Sequence, residues 1–319
     1  MNEGSVKYRL CECMSEEFGK IIGKGFETWK NNINIALPFI LDSIFSMLFV
    51  GMVGIAVASA IGFDTTAQFF DRLQIIIKSL SEDQEMPVMG TASLLLLIRP
   101  YITHLVLSFL IIIIGLFIIR TFFKAGAIGM AKAATERGST GFADMMNYAK
   151  KHVISLLLTD VLIGLFLLVG IVFLLPAALL SPALFSGQDS SGVGILILGI
   201  FLWITYMVII TTVLFIAPYI LVIESIHPID AVKTGFGFFV SHKLDVILLL
   251  IFTAAIAIVS NLVIGSVPKV GGFLSTFVAI IIVQPLTTLW WVRLYMAKTN
   301  KPLYVNELLS HPDDLTNEW

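Results

Sequence analysis

The sequence predicts an all-α polytopic membrane protein, in which six transmembrane helices form three repeats of an amphipathic interfacial helix and a transmembrane hairpin. The first observation is composition. The 319-residue chain is 57% hydrophobic and only 13% charged, whereas a soluble domain carries about 25% charged residues. The second is that a short segment with apolar residues at helical spacing precedes a long apolar stretch three times. Internal repeats of this kind decide the architecture.

Six apolar segments are long enough to cross the hydrocarbon core of a bilayer, which takes about 20 helical residues. They lack the alternation that barrel strands need, so helices are the structure that satisfies their backbone in lipid. Together they predict a single membrane domain over 1–319, ending in a polar cytoplasmic tail at 299–319. The predicted spans are 34–61, 101–119, 153–180, 195–223, 244–265 and 272–292.

The three repeat units cover about 15–123, 138–224 and 227–298. In each unit the amphipathic helix ends in two large side chains one helical turn apart, which we expect to anchor it among the lipid headgroups. Such helices either brace the following span or bind lipid headgroups or a partner protein. The anchors are Phe26 and Trp29, Met145 and Tyr148, and Phe236 and Phe239. The same register then places a polar residue before each span, namely Asn32, Lys151 and His242.

The distribution of Lys and Arg predicts the orientation. With the amino terminus inside, 16 of the 20 basic residues fall in cytoplasmic segments. The positive-inside rule therefore places both termini and all three repeat helices in the cytoplasm of a cell-membrane protein. Residues 1–32 contain no apolar core of a signal peptide, so we expect the first span to act as an uncleaved anchor. A further amphipathic stretch at 64–81 then lies outside.

Polar side chains inside the spans mark candidate sites, because burying them in lipid is costly. Asp42 lies about ten residues into the first span and Asp160 about eight into the third. Gln284 enters from the opposite direction, about nine residues before Arg293. At about 1.5 Å per residue, all three lie roughly 12–15 Å from the cytoplasmic boundary. We predict that they form one polar layer that binds a cation or a lipid headgroup.

A structural role for the same carboxylates is the alternative. Arg120 ends the second span and Arg293 the sixth. Their long side chains can reach inward to neutralise a carboxylate, which makes both of them candidate charge partners. Bent helices, which transporters use to build such sites, are predicted at four prolines. These are Pro38, Pro176, Pro218 and Pro285.

Catalytic and metal-binding signatures are absent from the sequence. It contains no zinc-protease helix, no phosphate-binding glycine loop and no nucleophile elbow. Cys11 and Cys13 lack partner ligands at zinc-site spacing, and we expect them to be reduced thiols. We therefore predict no enzyme activity, no catalytic residue, no metal, no cofactor and no nucleic-acid partner.

Short motifs carry a resemblance to a known family. Residues 215–224 form an apolar stretch with a proline and a final glutamate, and the helix after them begins Pro-Ile-Asp-Ala at 228–231. This pattern, together with 25–39, resembles a family of six-span prokaryotic membrane proteins of unknown function, similar to the membrane domain attached to some glycerophosphodiester phosphodiesterases. The resemblance covers 15–298, but Thr-Gly-Phe at 234–236 departs from the Ser-Trp pair that relatives often have. No segment resembles the soluble phosphodiesterase domain. The resemblance therefore implies the fold and a connection to lipid, and not that activity.

Two functional hypotheses remain. In the first, the protein handles lipid or a small molecule through the polar layer of Asp42, Asp160 and Gln284. In the second, it is a non-catalytic scaffold that presents its cytoplasmic amphipathic helices to a partner protein or to anionic lipid. Both hypotheses have membrane lipid as a partner. They differ in which residues matter, because the first depends on the carboxylates and the second on Phe26, Trp29 and Phe239.

Overall fold

A computed structural model of the chain describes residues 18–81, 99–176, 191–268, 270–305 and 308–310. Six helices in this part are long and apolar enough to cross a membrane. The chain is therefore a multi-pass membrane protein of the all-α class, as the sequence predicts. The candidate spans are Ile33–Ile61, Ile102–Arg137, Phe142–Leu174, Leu196–Glu224, Lys243–Gly265 and Gly271–Lys298.

Several spans consist of more than one helical segment. The α-helices of the described residues are α1 (Phe18–Asn31), α2 (Leu37–Ile61), α3 (Phe63–Ser81), α4 (Ile102–Arg137), α5 (Phe142–Val169), α6 (Ser191–Leu214), α7 (Ala217–Glu224), α8 (Pro228–Ser241), α9 (Lys243–Gly265), α10 (Gly271–Val278) and α11 (Gln284–Lys298). A π-helical segment, Ala279–Val283, joins α10 to α11. Short 3₁₀ segments lie at Ile33–Ala36, Arg99–Tyr101 and Gly170–Leu174.

The breaks in the fourth and sixth spans have a common cause. Pro218 stands in the first turn of α7, and Pro285 in the first turn of α11. A proline has no backbone N–H and crowds the preceding turn, so a continuous α-helix is interrupted there. The sequence predicts both bends.

The chain divides into two compact units. The smaller is Leu41–Thr121, and the larger combines Met1–Ile40 with Phe122–Trp319. In the smaller unit, the Phe49 ring of α2 lies directly against Gly115 of α4. No side chain larger than hydrogen fits at that position, which allows the two helices to approach closely.

Helix α11 is the centre of the larger unit. All but one of the residues from Pro285 to Ala297 are buried, and the helix packs against α1, α7 and α9. Helix α7 is buried along seven of its eight residues. Helices buried on every side occupy the interior of a bundle, so these two segments form the core on which the other helices of the unit are arranged.

The second span continues well beyond its predicted end. The sequence predicts an end near residue 119, but α4 runs to Arg137 and is 36 residues long. That length corresponds to about 54 Å of helix, more than the roughly 30 Å of a hydrocarbon core. The helix ends where Gly138 adopts a left-handed conformation with φ of 75°. Hydropathy marks where a helix leaves lipid, whereas this backbone conformation marks where the helix stops.

The middle repeat helix also departs from the prediction. Residues 142–148 are not a separate interfacial helix but the first two turns of α5, which continues without a break to Val169. In contrast, α1 and α8 are separate helices, and each is followed by a break before the next span. Gly141 lies at the start of α5, where its N–H donates to Asp144 (3.1 Å). No residue with a strong preference for ending a helix directly follows Tyr148, so the helix continues.

The described part of the predicted tail contains two short strands. Strands β1 (Leu303–Val305) and β2 (Leu308–Ser310) pair antiparallel. Leu303 is buried, and the Tyr304 ring lies against Gly138 at the end of α4. The first part of the predicted polar tail is therefore packed against the helical core.

Replacing Gly25 with alanine is expected to destabilise the protein by about 1–3 kcal/mol, the usual cost of overpacking a filled core. A Cβ at this position would overlap the indole ring of Trp290, whose Nε1 donates to the Ile22 carbonyl (3.1 Å). Gly23→Ala is the matched control, because a Cβ there meets nothing within 4 Å. Thermal unfolding in detergent should show stabilisation by Gly23→Ala and loss by Gly25→Ala. Equal melting temperatures would contradict this packing.

Candidate functional site

Asp160 of α5 forms an ion pair with Lys124 of α4. The lysine Nζ lies 2.9 Å from Asp160 Oδ1 and 3.1 Å from Oδ2. The Asp160 side chain is 17% exposed and that of Lys124 is 40% exposed. The pair is therefore only partly enclosed, and a polar group of another molecule can reach the ammonium.

This ion pair lies far from the end of its helix. Asp160 is nine residues after Lys151 on the continuous helix α5. This spacing corresponds to about 13 Å along the helix axis. The Lys151 ammonium lies near Ser225 Oγ (3.4 Å) at the exposed end of α7. That this ion pair lies at the depth of the polar layer stays a prediction.

Two more helices bring polar groups to the same level. The Tyr219 side chain of α7 lies within electrostatic range of the Asp160 carboxylate, and the Thr288 side chain of α11 lies beside it. Thr288 Oγ1 in turn donates to the backbone carbonyl of Gln284 (3.0 Å). Three helices of the larger unit, α5, α7 and α11, and the part of α4 that belongs to it therefore share one polar layer, whose side chains are Lys124, Asp160, Tyr219 and Thr288.

Gln284 itself begins α11, directly after the π-helical segment. Its side chain is exposed. Segments with π-helical hydrogen bonding often occur at functional sites, because they widen the helix locally. An exposed amide at this depth is costly in hydrocarbon and is suited to a polar partner. Gln284 therefore keeps its place as a candidate ligand-binding residue.

Asp42 belongs to the smaller unit and has partners there. Ser46 Oγ donates to Asp42 Oδ1 (3.4 Å), and Arg120 lies within range of an electrostatic interaction with the carboxylate. Asp42 therefore has a nearby positive charge within its own unit. That Asp42 shares one layer with Asp160 and Gln284 stays a prediction from their depths.

Arg293, the other candidate charge partner, is 1% exposed on the central helix and is not without a partner. A group of hydrogen bonds and ion pairs lies near it in sequence, at the end of α11. Tyr295 Oη donates to Glu224 Oε1 (2.9 Å), and Lys301 Nζ donates to Glu224 Oε2 (2.8 Å). Lys298 pairs with Asp245 (2.8 Å). These contacts join the ends of α7, α9 and α11 into one charged rim.

The predicted anchors of the middle repeat, Met145 and Tyr148, pack against helix α4. Met145 is 1% exposed and packs against Gly126 of α4. Tyr148 packs on Gly129, and the Lys132 ammonium lies 5.8 Å from the centre of its ring. For Met145 the prediction of an interfacial anchor is wrong, because α5 lays its first turns directly on the glycine surface of α4.

In the first and third repeats, one predicted anchor is exposed and the other is half-buried. Phe26 is 49% exposed and Phe236 is 56% exposed. Trp29 is half-buried with its ring 5.7 Å from that of Phe26. Phe239 is half-buried against the apolar cluster formed by Val213, Leu214, Ala217 and Val232. One aromatic side chain of each pair therefore faces outward and the other is partly covered.

Lys124, Tyr219 and Thr288 are the residues of this site that the sequence alone did not indicate. Lys124 lies beyond the predicted end of the second span at residue 119, and the other two are common residues of apolar helices. Within the described ranges, no group of three or more His, Cys, Asp or Glu residues could hold a metal ion. Cys11 and Cys13 lie outside the described residues.

Comparisons of the chain with protein-family models, with curated proteins and with solved structures found no match. The resemblance to the six-span prokaryotic family therefore stays a prediction from the motifs themselves.

Proposed function

We propose that this membrane protein handles lipid through the polar layer of its larger unit, with the Lys124–Asp160 ion pair as the group that meets the headgroup. The observation that carries the proposal is a partly exposed ion pair about 13 Å along α5 from Lys151. A lipid phosphate replaces Asp160 as the acceptor for the Lys124 ammonium, and charge-assisted hydrogen bonds of this kind are strong.

The neighbouring side chains give the proposal its second support. Tyr219 and Thr288 offer hydroxyl groups, and the Gln284 side chain offers an amide donor and acceptor. Headgroup phosphates and glycerol oxygens need such donors once they leave water. A role for Asp42 in the same function stays a prediction from its depth in the sequence.

The test is to incorporate the protein into proteoliposomes with a phospholipid that carries a photoactivatable group on its headgroup. Headgroups of the surrounding bilayer stay at the boundary, so adducts near residues 124 and 160 report a headgroup inside the polar layer. We expect such adducts in the wild type and at least a tenfold loss in the neutral double variant Lys124→Gln/Asp160→Asn. Adducts confined to the boundary, near Lys151 and Lys301, would contradict the proposal.

We propose the threefold repeat as the architecture behind this function. The backbone supports it for the first and third copies. Asn32 has φ and ψ of −133° and 58°, and His242 has −125° and 33°. Each residue follows a 14-residue helix, α1 or α8, and leads into the next span.

The excess of basic residues on one side supports a cytoplasmic location of both termini.

A scaffold function is the second candidate, and the exposure of Phe26 and Phe236 favours it. Both side chains stand on separate helices outside the core, at 49% and 56% exposure. Large exposed aromatic side chains are typical of surfaces that contact a membrane or a partner protein. The photolabelling experiment separates the two functions, since a scaffold gives no headgroup adducts in the polar layer.

A further inference from the structure

A groove lies between the middle of α5 and the start of α8. Its cavity measures about 650 Å³, which is within the range of about 300–1,000 Å³ that is typical of small-molecule sites. One wall consists of four aliphatic side chains at helical spacing on α5: Leu158, Val161, Leu162 and Leu165. The other wall is formed by residues 227–230 and Lys233 of α8.

The groove is separate from the polar layer, although both involve α5. At about 100° per residue, Asp160 points about 150° away from the centre of the aliphatic stripe. Leu162 also packs against the apolar cluster of α6, α7 and α8, which fixes the floor of the groove. Leu158, Val161 and Leu165 are each more than 40% exposed. An aliphatic surface of this kind on a transmembrane helix is covered by lipid hydrocarbon.

The polar end of the groove carries both signs of charge. Lys233 and Asp230 are exposed on adjacent turns of α8, and His227 precedes the helix. Within the ranges that the structure describes, neither Lys233 nor Asp230 belongs to an ion pair. A phosphate complements the lysine ammonium, and a primary ammonium group complements the aspartate. One molecule that combines an aliphatic chain with these two charges is an aminophospholipid of the surrounding bilayer.

We infer that this groove binds one zwitterionic aminophospholipid, with an acyl chain along Leu158, Val161 and Leu165, its phosphate at Lys233 and its ammonium at Asp230. The inference deepens the proposed function and rests on it for the role of the lipid, because it names the lipid class that the protein takes from the bilayer. The binding itself depends on neither Lys124 nor Asp160.

The test is native mass spectrometry of the purified full chain, titrated with phosphatidylethanolamine and, separately, with phosphatidylglycerol. We expect Lys233→Gln to weaken binding of both lipids by about tenfold, because both offer a phosphate. Asp230→Asn should weaken binding of phosphatidylethanolamine alone. Lys150→Gln is the matched control, since Lys150 is also exposed but lies outside the groove.

The second part of the test fills the groove with a larger side chain and measures the same lipid binding. Val161→Trp places a large ring among the acyl-chain contacts, whereas Val169→Trp makes the same change at an exposed position of α5 outside the groove. We expect at least a tenfold loss with Val161→Trp and no change with Val169→Trp. Equal binding by all these variants, or equal effects of Asp230→Asn on both lipids, would overturn the inference.

The neutral double variant Lys124→Gln/Asp160→Asn keeps the two proposals distinguishable. We expect Lys233→Gln to weaken binding of phosphatidylethanolamine by the same factor in this background as in the wild type, while the background itself loses headgroup adducts in the polar layer. If the groove fails its test and the adducts persist, only the inference about the groove is wrong. If the adducts are absent and groove binding persists, the protein binds the lipid without admitting its headgroup to the polar layer, and the proposed function is wrong.

Discussion

Asp160→Asn is expected to destabilise the protein by about 2 kcal/mol. The change leaves the Lys124 ammonium without its carboxylate, from which it is separated by 2.9 Å in the wild type. Breaking a buried ion pair costs about 3–5 kcal/mol, whereas exposed pairs contribute about 0.2–1 kcal/mol. With side-chain exposures of 17% and 40%, this pair falls between the two classes. Equilibrium unfolding in mixed micelles measures the loss.

A double-mutant cycle identifies the cause. Lys124→Gln/Asp160→Asn removes both charges, so we expect it to be more stable than Asp160→Asn alone, with a coupling energy of about 1–2 kcal/mol. Glu27→Gln is the control, because Glu27 pairs with Lys24 at an exposed position on α1 (2.8 Å) and should cost less than about 1 kcal/mol. Additive losses in the cycle would show that the two charges do not interact.

Asn32→Ala is expected to cost about 3 kcal/mol. The Asn32 side chain is 7% exposed and makes three hydrogen bonds to backbone groups. Its Nδ2 donates to the carbonyls of Thr28 (3.1 Å) and Gly138 (2.9 Å), and its Oδ1 accepts from the Thr140 N–H (3.2 Å). Each buried backbone group left without a partner costs about 1–3 kcal/mol. The Asn32 amide thereby fastens the end of α1 to the connection between α4 and α5.

Two further variants test this interpretation of Asn32. Asn32→Asp keeps the size of the side chain but places a carboxylate against two carbonyl oxygens, so we expect a loss at least as large as that of alanine. Asn34→Ala changes an exposed asparagine two residues later and should stay within about 0.5 kcal/mol of the wild type. Thermal unfolding of the three variants measures the difference. An Asn32→Asp protein as stable as the wild type would contradict the hydrogen bonds described.

The sequence predicts the six spans because each contains an apolar stretch that matches the thickness of a bilayer. It also predicts the bends at Pro218 and Pro285, since proline acts through local geometry. The extension of α4 to Arg137 is not visible in hydropathy, because this part of the helix is covered by protein rather than by lipid. The continuity of α5 was missed for a related reason. The same aromatic pattern that ends α1 becomes part of a longer helix where no residue forces a break.

The candidate site was predicted in part. Asp160 and Gln284 were identified as polar residues at one depth, but the lysine that pairs with Asp160 was not. Counting outward from the turn at 138–141 places residue 119 or 120 opposite Asp160, which favours Arg120. In the structure, Asp160 pairs with Lys124, which lies one helical turn nearer than Arg120 to the connection at 138–141. The long lysine side chain spans the extra distance along the helix. Tyr219 and Thr288 join the site only through the packing of α7 on α11, which no local pattern in the sequence indicates.

A structure of the protein in lipid nanodiscs, at a resolution that resolves headgroups, tests the central claim most directly. We expect an ordered headgroup within hydrogen-bond distance of Lys124, with Tyr219, Thr288 or Gln284 among its other contacts. Lys124 and Asp160 bonded only to each other, with hydrocarbon chains around them, would show that the pair is a brace between α4 and α5 and would contradict lipid handling at this site.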